Sequence, residues 1–204
     1  AEAVLEQLQA AEPNGPDAEA LIALRTRAYE VLARAALTRR EPGLARVHAQ
    51  HIADLDPSSP MPLFVEGRQL FDQARYADAL DLLDKAAAVA KDRTVFDLEF
   101  WRGEALMKLT RPSEAEEAYL AELRRTPDNT RAFTSLATLY HGQGRAEEAA
   151  ALITRYTQSI RTGESYDAAV RLLTGFGERE RADLLKTEAA RLFPAVATPA
   201  LTQQ

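Results

Sequence analysis

Three histidines, no cysteine and 31 carboxylates set the chemistry open to this chain of 204 residues. His48 and His51 stand three apart, with Asp54 three further on. On a helix that spacing puts two imidazoles and a carboxylate on one face, a geometry open to a metal ion. They flank Ala49 and Ile52, whose apolar side chains belong inside, so the imidazoles are expected toward solvent, and no fourth ligand follows. His141 precedes Gly142-Gln143-Gly144, and turn chemistry accounts for those glycines. Gly175-Phe176-Gly177 has the Gly-x-Gly of a phosphate loop, but it follows a helical run and lacks a Lys-Ser/Thr ending. The carboxylates Asp81, Asp84, Glu116-Glu117 and Glu147-Glu148 fall on helix faces, where solvation is their default role. Lack of cysteine removes disulfides, thiolate zinc sites and cysteine nucleophiles together. No Ser–His–Asp set assembles. The expectation is a protein that is not an enzyme and carries neither metal nor cofactor.

These residues ride on helices. Ala, Leu, Glu and Arg dominate, glycines number only 9, and no alternating run of strand formers survives more than a few positions. An all-α chain is the reading. Formal net charge is −6, and the Arg39-Arg40 and Arg124-Arg125 pairs close helical runs, where cations suit the helix dipole. That balance argues against nucleic acid or an anionic membrane as partner. No apolar run approaches the roughly 20 residues of a membrane span, and no signal peptide is present. The residues do not distinguish cytoplasm from periplasm. The first residue is not Met, which reads as processing or as excision from something longer.

Self-similarity organises the chain. Ala45, Ala79, Ala115, Ala149 and Ala182 recur at spacings of 33 to 36 residues, and twelve positions before each stands Ala33, Gly67, Gly103, Ala137 or Val170. Pro57, Pro127 and Pro194 close three units at one offset, where the others have Lys91 and Arg161. The stretch from Thr130 is the clearest copy. Phe133, Leu136-Ala137 and Tyr140 form one helical stripe; Gly144 turns the chain; Ala149 and Tyr156 follow on a second helix. This pattern resembles the tetratricopeptide repeat (TPR), a helix–turn–helix of about 34 residues, and the resemblance covers nearly the whole chain. A small residue at each crossing lets two helices nest, and stacked hairpins complete one another's cores. Two units depart from the pattern. Glu66 and Arg102 stand where Leu is expected, and the apolar load moves to Leu63-Phe64-Val65 and Phe100-Trp101. Lys186 replaces an aromatic in the last unit, whose charged second helix suits a solvent-facing cap.

The expected organisation is one array over 1–194, an α-solenoid of about five hairpins that the resemblance makes a right-handed superhelix. The repeats fall at 14–57, 60–92, 96–127, 130–161 and 163–194. Residues 1–13 read as an extra helix, either the second helix of a truncated repeat or a plain N-terminal one. The first full unit, 14–57, is about ten residues longer than a standard one, which predicts a first helix longer by about three turns. The tail 195–204 is expected to be disordered. By resemblance, the first helix of each hairpin builds a concave wall that holds a peptide or partner helix. The matching wall positions are Arg27, Glu30, Arg34, then Phe64, Arg68, Phe71 and Asp72, then Phe100, Glu104, Met107 and Lys108. Arg131, Thr134, Thr138, His141, Asp167 and Arg171 complete them. Phe64, Arg68, Phe71, Phe100 and Met107 form the expected anchor, of the residue types that dominate binding hot spots. The alternative for Phe64 and Phe100 is burial in place of the missing leucines. The Lys/Asn/Asn/Lys/Arg carboxylate clamp of chaperone-binding TPR proteins is absent, for its matching positions carry Glu30, Val31 and Arg34 in one unit and Phe64, Val65 and Arg68 in the next, with no Asn. The function expected is a non-catalytic peptide- or protein-binding scaffold. The alternative is an accessory region of a larger enzyme or secretion assembly, and self-association through array ends is a third option.

Overall fold

A computed structural model describes residues 18–91 and 93–194. The expected N-terminal helix over 1–13 and the tail 195–204 lie outside the described residues. Ten helices and no strand occur among those described. They are α1 (Ala18–Thr38), α2 (Pro42–Leu55), α3 (Met61–Asp72), α4 (Tyr76–Ala90), α5 (Leu98–Lys108), α6 (Pro112–Arg125), α7 (Thr130–Gly142), α8 (Ala146–Ser159), α9 (Gly163–Gly175) and α10 (Arg179–Leu192). Contacts divide the chain into two compact units, Ala1–Ala118 and Tyr119–Gln204, and the division falls inside α6.

Each hairpin turns through the same corner. Arg40, Ala74, Thr110, Gly144 and Gly177 all have positive φ, between 58° and 82°. Each lies five residues before one of the repeating alanines. The next residue donates its N–H back across the corner: Glu41 to Ala36, Arg75 to Leu70, Arg111 to Leu106, Arg145 to Tyr140 and Glu178 to Leu173, at 2.9–3.0 Å. This six-to-one bond satisfies carbonyls that a helix end would otherwise leave open, and it fixes where the second helix starts. Only two of the five corners have glycine, so the corner is held by packing as well as by local preference.

The alanines do what their spacing asks. Ala45, Ala79, Ala115, Ala149 and Ala182 are all at most 2% exposed. Gly67 shows why the partner position is small: a Cβ there would stand 3.0 Å from Leu83 Cγ and 3.3 Å from the Ala79 carbonyl. In the last hairpin the buried small residue is Ala169 rather than Val170, which is only half-buried.

In the first unit, α1 with α2, α3 with α4 and α4 with α5 pack as neighbours around a core that includes Leu32, Ile52, Phe64, Leu83 and Leu98. α1 runs 21 residues against 12 for α3 and 11 for α5, so the lengthened first helix is present. Glu66 is exposed, while Arg102 is half-buried and paired with Asp84, 2.7 Å away, and with the buried Glu99. In the second unit, Phe133 and Tyr156 stack with ring centroids 3.8 Å apart. A buried polar joint precedes α7. Glu122, 1% exposed, accepts from Asn129 Nδ2 at 2.9 Å and from Thr126 Oγ1 at 3.1 Å. Asn129 Oδ1 in turn caps α7, accepting from the N–H groups of Arg131 and Ala132. α10 buries only Ala182 and leaves most of its charges in solvent.

Candidate functional site

The expected anchor residues do not share one surface. Phe64 and Phe100 are 2% and 6% exposed, so both fill the core where leucine is missing and present no ring to a ligand. Phe71 is half-buried, edge-on to Tyr76 and Trp101 at centroid distances of 5.2 and 5.1 Å. The Arg68 guanidinium lies 3.6 Å over the Trp101 ring and pairs with Asp72 one turn on. Arg68 therefore belongs to an aromatic cluster centred on Trp101. Met107 is 38% exposed, Lys108 is exposed and Glu104 is half-buried on the last turns of α5. Thr138 and His141 fall in the second unit. The Thr138 hydroxyl donates to the Thr134 carbonyl at 2.8 Å, and the His141 ring stacks on Phe176 at 4.0 Å.

A different set of side chains converges in the first unit. A groove of about 770 Å³ runs along α1, closed on its other sides by the α2–α3 corner and the α4–α5 connection. Glu19, Ile22, Ala23, Thr26, Arg27, Glu30, Val31 and Arg34 line it from α1. Their steps of three and four make a continuous helical stripe. Ile22 and Val31 are 37% and 42% exposed, and Phe96 across the groove is 37% exposed. The Arg34 guanidinium sits 4.9 Å from the Phe96 ring centroid.

The far wall exists because one connection is long. Seven residues, 91–97, join α4 to α5, while the comparable joints at 56–60, 126–129 and 160–162 are shorter. Lys91 and Asp97, both with positive φ, bracket it. Arg93 ties this loop to the α2–α3 corner through Asp56 Oδ2 at 3.0 Å and the Ser58 carbonyl. The Ser58 hydroxyl, its backbone N–H and Arg93 hold the Asp56 carboxyl below its ordinary range. Within the groove, burial raises Glu30 above the usual carboxylate range, against the opposing pull of Arg34 and Arg27.

The groove thus offers apolar side chains framed by two arginines and one reluctant carboxylate. No group of three metal-ligating side chains gathers among the described residues, and His48 and His51 instead lie against Tyr29, at 5.8 and 4.6 Å. Family mapping found Arg27, Glu30 and Arg34 but missed Ile22, Arg93 and Phe96. The signal available was the 36-residue spacing between Ala79 and Ala115, which marks the inserted wall.

No family model matches the sequence, and no curated protein is similar to it. Solved structures are. MamA superposes with a TM-score of 0.55 at 19% identity, covering 88% of this chain and 97% of MamA. PilF of Pseudomonas aeruginosa gives 0.54 at 20% identity, covering 95% and 86%. YrrB, described as a TPR protein with an unusual peptide-binding site, gives 0.51 at 20% identity, covering 82% and 86%. These likenesses establish the fold as that of stacked TPR hairpins.

Proposed function

We propose that the chain is a non-catalytic scaffold that holds an extended segment of a partner protein in the groove of its first unit. One observation carries this reading. Ile22, Val31 and Phe96 stay exposed in a concavity where Arg27 and Arg34 frame them. Apolar side chains left in a rimmed concavity mark binding surfaces, and aromatic and Arg residues are the types that dominate them. The peptide-binding site described for YrrB supports the assignment of that role to this fold. Met107 and Lys108 belong to the same proposal as outlying contacts, whereas Phe64 and Phe100 do not.

A displayed peptide library panned against the protein tests the reading. Selected peptides should lose about 2 kcal/mol or more of affinity on Val31→Asp and on Phe96→Ala. Melting should stay near wild type, because both side chains are partly in solvent. Equal binding to wild type and both variants would place the site elsewhere.

A further inference from the structure

The second unit carries its own unfilled surface, independent of the groove just described. α8 and α10 both pack on α9 and flank a furrow of about 880 Å³ floored by Tyr166 and Leu173. Its α8 wall has Ala150, Ala151 and Thr154 at its centre with Glu147, Ile153 and Gln158 around them, and its α10 wall presents Leu184 and Leu185. Leu184 is 73% exposed, more than any other large hydrophobic among the described residues. It lies beside Leu185 on the furrow's rim, so the two leucines form one apolar strip flanked by charge.

The sequence of α10 indicates what covers it. Glu178, Arg181, Leu184, Leu185, Glu188 and Arg191 fall within a sector of about 140° on one helix face. Positions equidistant from the Leu184–Leu185 midpoint have opposite charges: Arg181 mirrors Glu188, and Glu178 mirrors Arg191. Between them, Arg179 and Glu180 mirror the neutral Ala190 and Ala189, so no like charges oppose. The stripe is complementary to itself when one copy is reversed, the condition a two-fold interface must meet. Within one copy these charges are lightly committed. Arg181 reaches Glu178 only at 3.6 Å, and Glu188 accepts one bond from the Tyr166 hydroxyl at 3.0 Å.

We propose that this furrow is a homodimer interface, in which α10 of two copies pack antiparallel about a two-fold axis. Leucine meets leucine at the axis, and Arg181 of each copy faces Glu188 of the other. The small side chains of α8 let the incoming helix sit close.

Sedimentation velocity on the full chain over a concentration series tests this. Wild type should dimerise, and Leu184→Asp should raise the dissociation constant roughly tenfold or more. Arg181→Glu and Glu188→Arg should each be monomeric alone, because each sets like charges face to face at both ends. Mixed in equal amounts they should form a one-to-one heterodimer, since every facing pair is then opposite again. Circular dichroism checks that each variant stays helical. A wild type that remains monomeric at its highest soluble concentration overturns the proposal. So does a wild-type dimer that Leu184→Asp leaves intact, or a mixture of the two charge variants that fails to pair. None of these outcomes depends on the first-unit groove.

Discussion

Glu30 sits half-buried between two arginines, and burial still wins: its carboxyl titrates above the usual range. A raised pKa means that the folded chain holds the proton to higher pH than the unfolded chain does. The stabilising share of Glu30 is therefore complete below the ordinary Glu range and declines as pH climbs through that range to the raised value. At neutral pH its charge is a net cost to the fold. Glu30→Gln is expected to raise the melting temperature near pH 7 and to change little below about pH 4. A lower melting temperature near neutrality would mean that Arg27 and Arg34 outweigh burial. The buried joint in the second unit gives a larger effect. Asn129→Ala removes the cap of α7 and one donor to Glu122, which is out of reach of water. Cap loss costs about 1 kcal/mol and a short-changed buried acceptor about 1–3 kcal/mol. Denaturant unfolding should show a loss of about 2–4 kcal/mol, with Asn129→Ser recovering the cap portion alone.

At the scale of the element, the five hairpin corners share one backbone path and differ in the residue that follows it. Thr110 takes φ 58°, a left-handed conformation costly for a β-branched side chain, whereas Gly144 takes φ 74° freely. Thr110→Gly should stabilise by up to about 1 kcal/mol, part of the relieved strain being offset by the greater freedom of an unfolded glycine. Gly144→Ala should cost about 1 kcal/mol for the converse reason. Equal and opposite shifts in paired thermal melts check both; no change at Thr110 would mean that its context has already removed the strain. Helices were readable from the sequence because they depend on short-range i, i+3 and i+4 stripes. So were the glycine corners at Gly144 and Gly177, whereas Arg40, Ala74 and Thr110 carry no local turn signal. The fate of paired apolar residues was not readable either. Phe64 and Phe100 lie within 100° of helix faces that lead either to the core or to solvent. The leucine missing from the same helix, at Glu66 or Arg102, leaves a place in the core that the phenylalanine fills, and only the packed structure shows it filled.

Within each unit of the molecule, helices pack on those beside them in the chain or one removed. Stability in such a stack is a sum of local terms. Phe133→Ala, which empties a site of 0% exposure in the second unit, should cost about 3–5 kcal/mol there. Native-state hydrogen exchange should show that loss in amides of α7 to α9, while amides of α1 to α4 keep wild-type protection. Uniform loss across both units would make the chain a single cooperative body. The groove was only half legible from the sequence for a related reason. Arg27, Glu30 and Arg34 fall on a repeat helix and the 36-residue spacing betrays an insertion, but the far wall comes from 91–97, a connection that breaks the repeat and so has no pattern of its own. That connection separates inheritance from invention. The corners and alanines are what every hairpin must copy faithfully, and a change in them is felt by the fold. The extra length between α4 and α5 answers to no such template. Val95 is held in the core and Arg93 at the neighbouring corner, but exposed positions such as Phe96 can change while the hairpins stay intact, so the selectivity proposed for the groove can be re-engineered by editing one joint.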